Sequence, residues 1–149
     1  DCGFIGYPVK QRNIICKKIY DQTIVLAGTK EIEDFKPENI YDIPIILQQK
    51  GSGLRRFVME QLKKMGIDTD KINTPIEAGY EEFGKQASLK GFGYTFIPEE
   101  DTKPPLRIIW NHEYLTRSFW LITKKEEISE KITKMLRKIL RGDYSGEDN

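Results

Sequence analysis

The segment IPIILQQKGSG, residues 43–53, decides the fold, because an apolar run leads through a short polar link into Gly51-Ser52-Gly53. The run at 43–47 predicts a buried β-strand, and Ser52 is a suitable N-cap for a following helix. This order places a helix N-terminus at the open end of a sheet. Backbone N–H groups without intrahelical partners point out of such an end, and the helix dipole adds a positive partial charge. The segment therefore predicts a binding site for a small anion.

The residues after this segment continue the alternation of strands and helices. Apolar residues at helical spacing from Ser52 predict a helix that ends at Gly66. The next predicted elements are a strand at 73–77, a helix at about 80–90 and a strand at 92–97. Gly84 costs that helix about 1 kcal/mol relative to alanine, so we expect a close packing contact there. The alternation indicates an α/β fold with parallel connections.

The two ends of the chain add further predicted elements. Pro37 is expected to open a single helical turn through Tyr41. Asp21-Gln22 is expected to separate two strands. The flanking elements are strands at 2–6, 14–20, 23–27, 106–110 and 118–123, a final helix over 128–140, and a polar tail at 141–149.

Composition excludes several classes of protein. The chain has 149 residues, 38% of them hydrophobic, which suits one domain or two small lobes. Its 24 basic and 23 acidic residues nearly cancel, so no strong field favours nucleic acid or an anionic membrane. No apolar run approaches the roughly 20 residues of a membrane span, and no signal peptide is visible. We expect a soluble, cytoplasmic protein.

Neither the cysteines nor the histidine suggests chemistry. Cys2 and Cys16 form no CxxC motif and have no neighbouring histidine, so we expect reduced thiols rather than a disulfide scaffold or zinc. His112 is the only histidine and has no serine, cysteine or second ligand motif beside it, so we expect a surface residue. The sequence predicts no metal and no cofactor.

The candidate binding residues lie around Gly51-Ser52-Gly53. An ordinary N-cap would explain Ser52 but not the flanking glycines, which let a carboxylate or phosphate approach the backbone. A helix dipole contributes roughly 0.3 to 2 kcal/mol, whereas a micromolar ligand requires about 8. Other loops at the same sheet edge must therefore contribute, and Gly6-Tyr7 and 78–80 are the natural candidates.

Four charged or aromatic side chains remain open to two interpretations. Tyr7 and Tyr80 either line a pocket or are half-buried surface tyrosines. Arg55 and Arg56 lie in the first turn of the predicted helix, where a cation is slightly unfavourable. One of them faces an anion or a carboxylate, or both are solvated charges.

At these residues the chain resembles the effector-binding domain of LysR-type transcriptional regulators. The resemblance covers nearly the whole chain and rests on an ordered set of segments. These are the aspartate-led strand and turn at 1–8, the strand at 23–28, the proline-strand-Gly-Ser-Gly-x-Arg segment at 43–55, the helix entry at 77–80, the glycine-x-glycine strand at 91–98 and the strand at 117–122.

The resemblance implies a fold like that of type 2 periplasmic binding proteins, with two α/β lobes joined by two crossing strands. Residues 1–22 and 124–141 would form a partial lobe one, and 29–116 would form lobe two. The crossover strands would be 23–28 and 117–123, with a flexible tail at 142–149. The family's helix-turn-helix and the first units of lobe one have no counterpart, so we expect a fragment of a longer protein.

The resemblance also implies site residues and partners. A small, anionic metabolite would bind between the lobes, and the parent protein would form a dimer or tetramer that contacts DNA through its helix-turn-helix. Gly79 stands where many members have serine or threonine, which removes a hydroxyl contact. The implied effector contacts are Gly6, Tyr7, Ser52, Gly53, Gly79, Tyr80 and Thr95.

We therefore predict an effector-sensing domain that performs no chemistry. A solute-binding protein of a transporter is the alternative, because it would have the same fold and a similar pocket. An enzyme is the third possibility, but the sequence has no nucleophile-base pair, metal cluster or cofactor fingerprint.

Overall fold

The computed structural model describes residues 2–6, 8–124, 134 and 138. The chain divides into two compact units. Unit one contains the described residues up to Gln22 and from Arg117 onward, and unit two is Thr23–Thr116.

Seven strands and two helices lie within the described residues up to Lys124. In order they are β1 (Cys2–Ile5), β2 (Ile14–Gly28), β3 (Ile45–Gln48), α1 (Gly53–Lys64), β4 (Ile76–Ala78), α2 (Glu81–Leu89), β5 (Tyr94–Pro98), β6 (Arg107–Trp110) and β7 (Thr116–Lys124). Short 3-10 turns cover Pro37–Tyr41, Thr69–Lys71, Glu99–Asp101 and Glu113–Leu115. The predicted turn that opens at Pro37 is confirmed.

Unit two is built on a mixed sheet in the order β2-β5-β3-β4, with β6 also paired to β2. Strand β3 runs parallel to both β4 and β5, whereas β2 is antiparallel to β5 and β6. Parallel neighbours need a crossover connection, and α1 and α2 supply the two that lead from β3 to β4 and from β4 to β5. The predicted α/β alternation with parallel connections is confirmed.

The core of unit two lies on both faces of this sheet. The larger cluster packs the α1 residues Leu54, Val58 and Leu62 against Ile45 and Leu47 of β3. The smaller cluster contains Val25, Ala27, Ile97 and Leu106. Burial of the sheet on both faces explains why β3 and β5 consist entirely of buried residues.

In unit one, β7 lies between β1 and β2, and β1 is antiparallel to β7. The sequence predicted two strands, 14–20 and 23–27, but β2 is a single strand of 15 residues. The side chains of Asp21 and Gln22, which were expected to separate two strands, form hydrogen bonds with residues of β7. The side chain of Arg117 donates to Gln22 Oε1, and Ser118 Oγ bonds Asp21 Oδ1. These bonds satisfy the polar side chains within the ladder, so the strand continues.

Several predicted boundaries shift by a few residues. Strand β4 was expected at 73–77 but lies at Ile76–Ala78, because Pro75 has no N–H to donate to a ladder. The ends of β3, β5 and β7 also move, although each strand exists. The predicted final helix over 128–140 lies outside the described residues except at Lys134 and Lys138, both of which are helical.

Glycine 84 shows the close packing that its sequence position predicted. A Cβ atom at this position would lie 3.2 Å from Thr95 Oγ1 and 3.7 Å from a methyl carbon of Ile46. Helix α2 therefore approaches the sheet closely at this glycine. Gly66 also ends α1 as predicted, with a φ of +82° just after the C-cap.

The loop before β5 contains two glycines, which allow the cost of a positive φ to be measured apart from the cost of steric crowding. Gly91 and Gly93 have φ values of +80° and +155°, but a Cβ at Gly93 would also lie 2.5 Å from the Pro44 carbonyl oxygen, whereas Gly91 faces open space. We expect Gly91→Ala to cost about 1–2 kcal/mol of unfolding free energy. Gly93→Ala is expected to cost roughly 1–3 kcal/mol more, measured by urea unfolding. Equal losses in the two variants would contradict the close approach.

Candidate functional site

The first element of the site is the N-terminus of α1. Ser52 is the N-cap, and its Oγ accepts from the backbone N–H of Arg55 at 3.4 Å. The N–H groups of Gly53 and Leu54 have no partner within the described residues. A Cβ at Gly51 or Gly53 would meet no atom within 4 Å. Unpaired donors therefore border open space beside the Ser52 hydroxyl, which is the arrangement that suits an anion.

The second element is the N-terminus of α2, which follows β4. Tyr80 is its N-cap residue but supplies no side-chain cap bond. The Tyr80 ring is 71% exposed and lies 5.8 Å from the Phe83 ring. Gly79 has nothing within 4 Å of a built Cβ. A hydroxyl-bearing side chain therefore has room at Gly79 but is not present.

A backbone bond joins the two loops directly. The N–H of Gln49 donates to the carbonyl of Ala78 at 2.8 Å, just beyond the parallel β3/β4 pair. Because β3 and β4 are parallel, both strands end at the same edge of the sheet, and each is followed by a helix N-terminus. The structure thus brings together Ser52, Gly53, Gly79 and Tyr80 within unit two.

Arg55 fixes the geometry of this edge. Its Nη1 donates to Gln48 O at 2.9 Å and to Glu77 Oε1 at 2.7 Å. The sequence left a carboxylate partner and a solvated charge open, and for Arg55 the partner is a carboxylate. Arg56 is exposed and forms no ion pair among the described residues. One side chain of α1 therefore ties the ends of β3 and β4 to the helix.

The ion pair affects the titration of Glu77. The hydrogen bond from Arg55 lowers the pKa of Glu77 below its ordinary value of 4.5. The Glu77 side chain is 45% exposed and that of Arg55 only 17%. A positive guanidinium and a displaceable carboxylate therefore lie together at the rim of the site.

Gln48 is a residue of this edge that the sequence analysis missed. It is 2% exposed, its Nε2 donates to Phe96 O at 3.3 Å, and its Oε1 is buried without a partner within the described residues. Strand residues two apart share a face, so Gln48 lies on the same face as Ile46, beneath α2. The signal in the sequence was an amide that ends an apolar strand three residues before Gly51.

The remaining predicted contacts have other positions. Thr95 is fully buried, and its Oγ1 donates to Ile46 O at 3.2 Å beneath α2, so this hydroxyl serves packing in unit two. Gly6 is exposed and follows β1 in unit one. Tyr7 lies outside the described residues.

The other chemistry-bearing residues form no site within the described ranges. No group of three potential metal ligands was found there, and no described helix is long and apolar enough to cross a membrane. The Cys16 thiol is free and partly buried. His112 Nδ1 accepts from the Tyr114 N–H at 3.2 Å and caps a short turn.

Comparison with known proteins identifies the family. The LysR substrate binding domain family matches residues 1–143. The RuBisCO operon transcriptional regulator of Acidithiobacillus ferrooxidans is 27% identical over 103 residues, which is 65% of this chain and 32% of that protein. The chain thus spans about a third of the length of this curated relative.

Solved structures share the fold at low sequence identity. The CcmR regulatory domain of Synechocystis PCC6803, in complex with 2-PG, has a TM-score of 0.66 and 18% identity, covering 98% of this chain and 74% of that chain. A sulfate-bound mutant OxyR2 regulatory domain from Vibrio vulnificus has a TM-score of 0.68 and 19% identity, covering 95% of this chain and 71% of that chain.

The α/β sheet with two crossover helices is therefore of the periplasmic-binding-protein-like class, as the sequence predicted. Within this class, the chain belongs to the LysR substrate-binding domain family, the effector-binding part of LysR-type transcriptional regulators. The family is one of regulators, which favours a regulator over the solute-binding protein of a transporter.

The Arg55–Glu77 pair predicts a pH-dependent stability difference between the wild type and Glu77→Gln. Because the pKa of Glu77 is lowered on folding, the wild type's advantage should be present above the ordinary pKa of 4.5 and be lost as the pH falls through the folded value. Thermal melts between about pH 7 and about pH 3 measure it.

The matched control for this prediction is Glu60→Gln, which removes an exposed carboxylate of α1 that forms no ion pair among the described residues. Its difference from the wild type should change little over the same pH range. A Glu77→Gln difference that is independent of pH would contradict the ion pair.

Gly79→Ser should be tolerated, because its Cβ enters open space and its φ lies outside the left-handed region. We expect the unfolding free energy to change by no more than about 0.5 kcal/mol in urea titrations. Gly66→Ser is the matched control, since Gly66 also faces open space but has a φ of +82°. It should lose about 1–2 kcal/mol. A comparable loss at Gly79 would show that its loop is more restricted than this structure indicates.

Proposed function

We propose that unit two binds a small anionic metabolite at the edge where β3 and β4 end. The observation that carries this proposal is the meeting of two helix N-termini there, with glycine backbone facing open space at Gly53 and Gly79. In the proposed complex, the N–H groups of Gly53 and Leu54 and the hydroxyl of Ser52 donate to the anion.

Tyr80 and Arg55 give this edge its selectivity. The exposed Tyr80 ring offers an apolar surface to the body of the metabolite, and its hydroxyl offers a donor. The guanidinium of Arg55 supplies positive charge at the rim, where Glu77 competes with the effector for it. An effector with one or two negative charges and a short carbon body matches this combination.

The ligands of the structural relatives agree with an anionic effector. The CcmR domain was solved with 2-PG and the OxyR2 domain with sulfate. The effector contacts predicted at Gly6 and Tyr7 rest on the sequence alone. Thr95 is a weaker candidate for direct contact, because its hydroxyl is buried and already bonded to Ile46.

We also propose the domain organisation that the sequence suggested. Residues 1–22 and 124–141 belong to a partial lobe one, 29–116 form lobe two, and 142–149 are a tail. The two connecting strands, 23–28 and 117–123, carry the chain between the lobes.

The proposed biological role is regulation without catalysis in the cytoplasm. The parent protein would assemble as a dimer or tetramer and bind DNA through a helix-turn-helix outside this chain. An effector regulates only when it binds two arrangements of the parent protein with different affinity. Differential binding, rather than a chemical step, is therefore the proposed mechanism.

A thermal-shift screen of sulfate, phosphate, 2-PG and small dicarboxylates tests the anion site. We expect at least one anion to raise the melting temperature of the wild type. Ser52→Ala should weaken the binding of that anion about fivefold or more, because it removes one charge-assisted hydrogen bond. Amide shifts at Gly53 and Leu54 locate the anion.

Ser52→Thr is the matched control for this test, because it keeps a hydroxyl at the N-cap position. It should retain most of the affinity that Ser52→Ala loses. Equal affinity in the wild type and Ser52→Ala would remove Ser52 from the site, and a panel without any stabilising anion would contradict an anionic effector.

A further inference from the structure

A cavity of about 180 Å3 lies in unit two at the edge where β3 and β5 begin. Its lining includes Ile43 and Pro44 before β3 and Tyr94 at the start of β5. The proposed anion site lies where β3 and β4 end, whereas this cavity lies at the opposite edge of the sheet. Strand β5 has five residues, so the two edges are about 13 Å apart along it.

Tyr94 is held firmly in the wall of this cavity. It is 9% exposed, and its ring lies against the backbone of Gly28. A Cβ at Gly28 would be 2.3 Å from Tyr94 Cδ1, so only glycine leaves room for the ring. The strand end at Gly28 therefore fixes the ring and, with it, the direction of the phenol.

The Tyr94 hydroxyl has no role in the packing of unit two. It has no hydrogen-bond partner within the described residues, yet it is not among the buried unpaired atoms and so keeps an accessible surface. Burial raises the pKa of this phenol further above neutral pH, where any tyrosine hydroxyl is already a proton donor. A phenylalanine would fill the same space over Gly28, so packing alone does not explain the hydroxyl.

The rest of the lining defines the chemistry of a ligand. Ile43 and Pro44 form an apolar wall, and Gly93 brings bare backbone against the Pro44 carbonyl. Lys30 is exposed and is the only charged residue among the described residues of the lining, and Thr29 adds a hydroxyl. The described lining thus combines two hydroxyl-bearing residues and one cationic residue with an apolar wall, and it includes no acidic residue.

The size of the cavity limits the ligand to a few atoms. A water molecule occupies about 30 Å3 of liquid, so 180 Å3 corresponds to about six waters. A short monocarboxylate of about six non-hydrogen atoms has a matching volume. A nucleotide is too large for this space.

We propose that this cavity is a second ligand site, which binds a short aliphatic monocarboxylate. The Tyr94 hydroxyl donates to the carboxylate, the Lys30 ammonium balances its charge, and the alkyl chain packs on Ile43 and Pro44. A ligand of this size binds with a dissociation constant on the order of 1 mM. The site is independent of the proposed effector site at Ser52.

Butyrate is the probe, followed by amide shifts in ¹H–¹⁵N spectra of the full chain. The wild type should show saturable shifts at Thr29, Gly91 and Gly93. Tyr94→Phe keeps the ring over Gly28 and removes the hydroxyl, so its dissociation constant for butyrate should rise about tenfold or more. Butyramide, which has no charge, should bind at least about tenfold more weakly than butyrate.

Two further variants keep the test decisive. Tyr114→Phe removes a phenol from an exposed ring of unit two outside the cavity, so it should bind butyrate like the wild type. Lys30→Gln changes an exposed residue and should weaken butyrate about threefold or more. This variant decides the question even if Tyr94→Phe alters the fold.

Three results would overturn the proposal. They are equal affinity in the wild type and both cavity variants, equal affinity for butyrate and butyramide, and the absence of saturable shifts up to about 50 mM butyrate. Butyrate shifts confined to Gly53 and Leu54 would likewise exclude this cavity while supporting the effector site. The failure of one site is therefore distinguishable from the failure of the other.

Discussion

The parallel pairing of β3 with both β4 and β5 is the constraint on which the rest of unit two depends. Parallel neighbours cannot be joined by a hairpin, so each connection must cross the sheet, and here a helix makes each crossing. Both helices then begin at the edge where β3 and β4 end. Unpaired N–H groups and two positive dipole ends are brought together without any charged residue being required for it. The proposed anion affinity of this edge would thus be a consequence of topology, which the side chains refine.

The side chains at this edge add both a positive and a negative charge, those of Arg55 and Glu77. Arg55 holds the ends of β3 and β4 together through Gln48 O and Glu77, so its charge stabilises the strand ends whether or not a ligand is bound. An anion that engages Arg55 must compete with Glu77, which lowers affinity but rewards a ligand with the right geometry. The unpaired Oε1 of Gln48 lies on the face of the sheet beneath α2 and adds a buried hydrogen-bond acceptor. In the proposed site, groups already present would thus moderate the affinity for an anion, which suits a sensor that must release its effector.

Much of this fold was predictable from local patterns in the sequence. The features that the sequence did not reveal depend on contacts between residues far apart in the chain. Ser52, Gly66 and Gly84 each stand at a helix cap, a helix end or a close contact that local chemistry predicts. The continuity of β2 depends on bonds to β7, about 95 residues away, and no local pattern reveals them. The burial of Thr95 beneath α2 depends equally on a distant partner, Ile46. The resemblance to a family supplied the candidate binding residues, but only the packing separates those facing open space from those inside the core.

Glycine illustrates this separation most clearly, because the two edges of the sheet use it for opposite purposes. At the edge of the proposed effector site, Gly53 and Gly79 face open space, so a ligand can reach the backbone there. At the other edge, Gly28 and Gly93 are glycines because a ring or a carbonyl occupies the place of their side chains. The first pair leaves room for a side chain and belongs to the proposed binding site, whereas the second pair is required by packing. An accessible polar atom fixed by such packing, as the Tyr94 hydroxyl is, therefore points to a ligand more strongly than the glycines around it do.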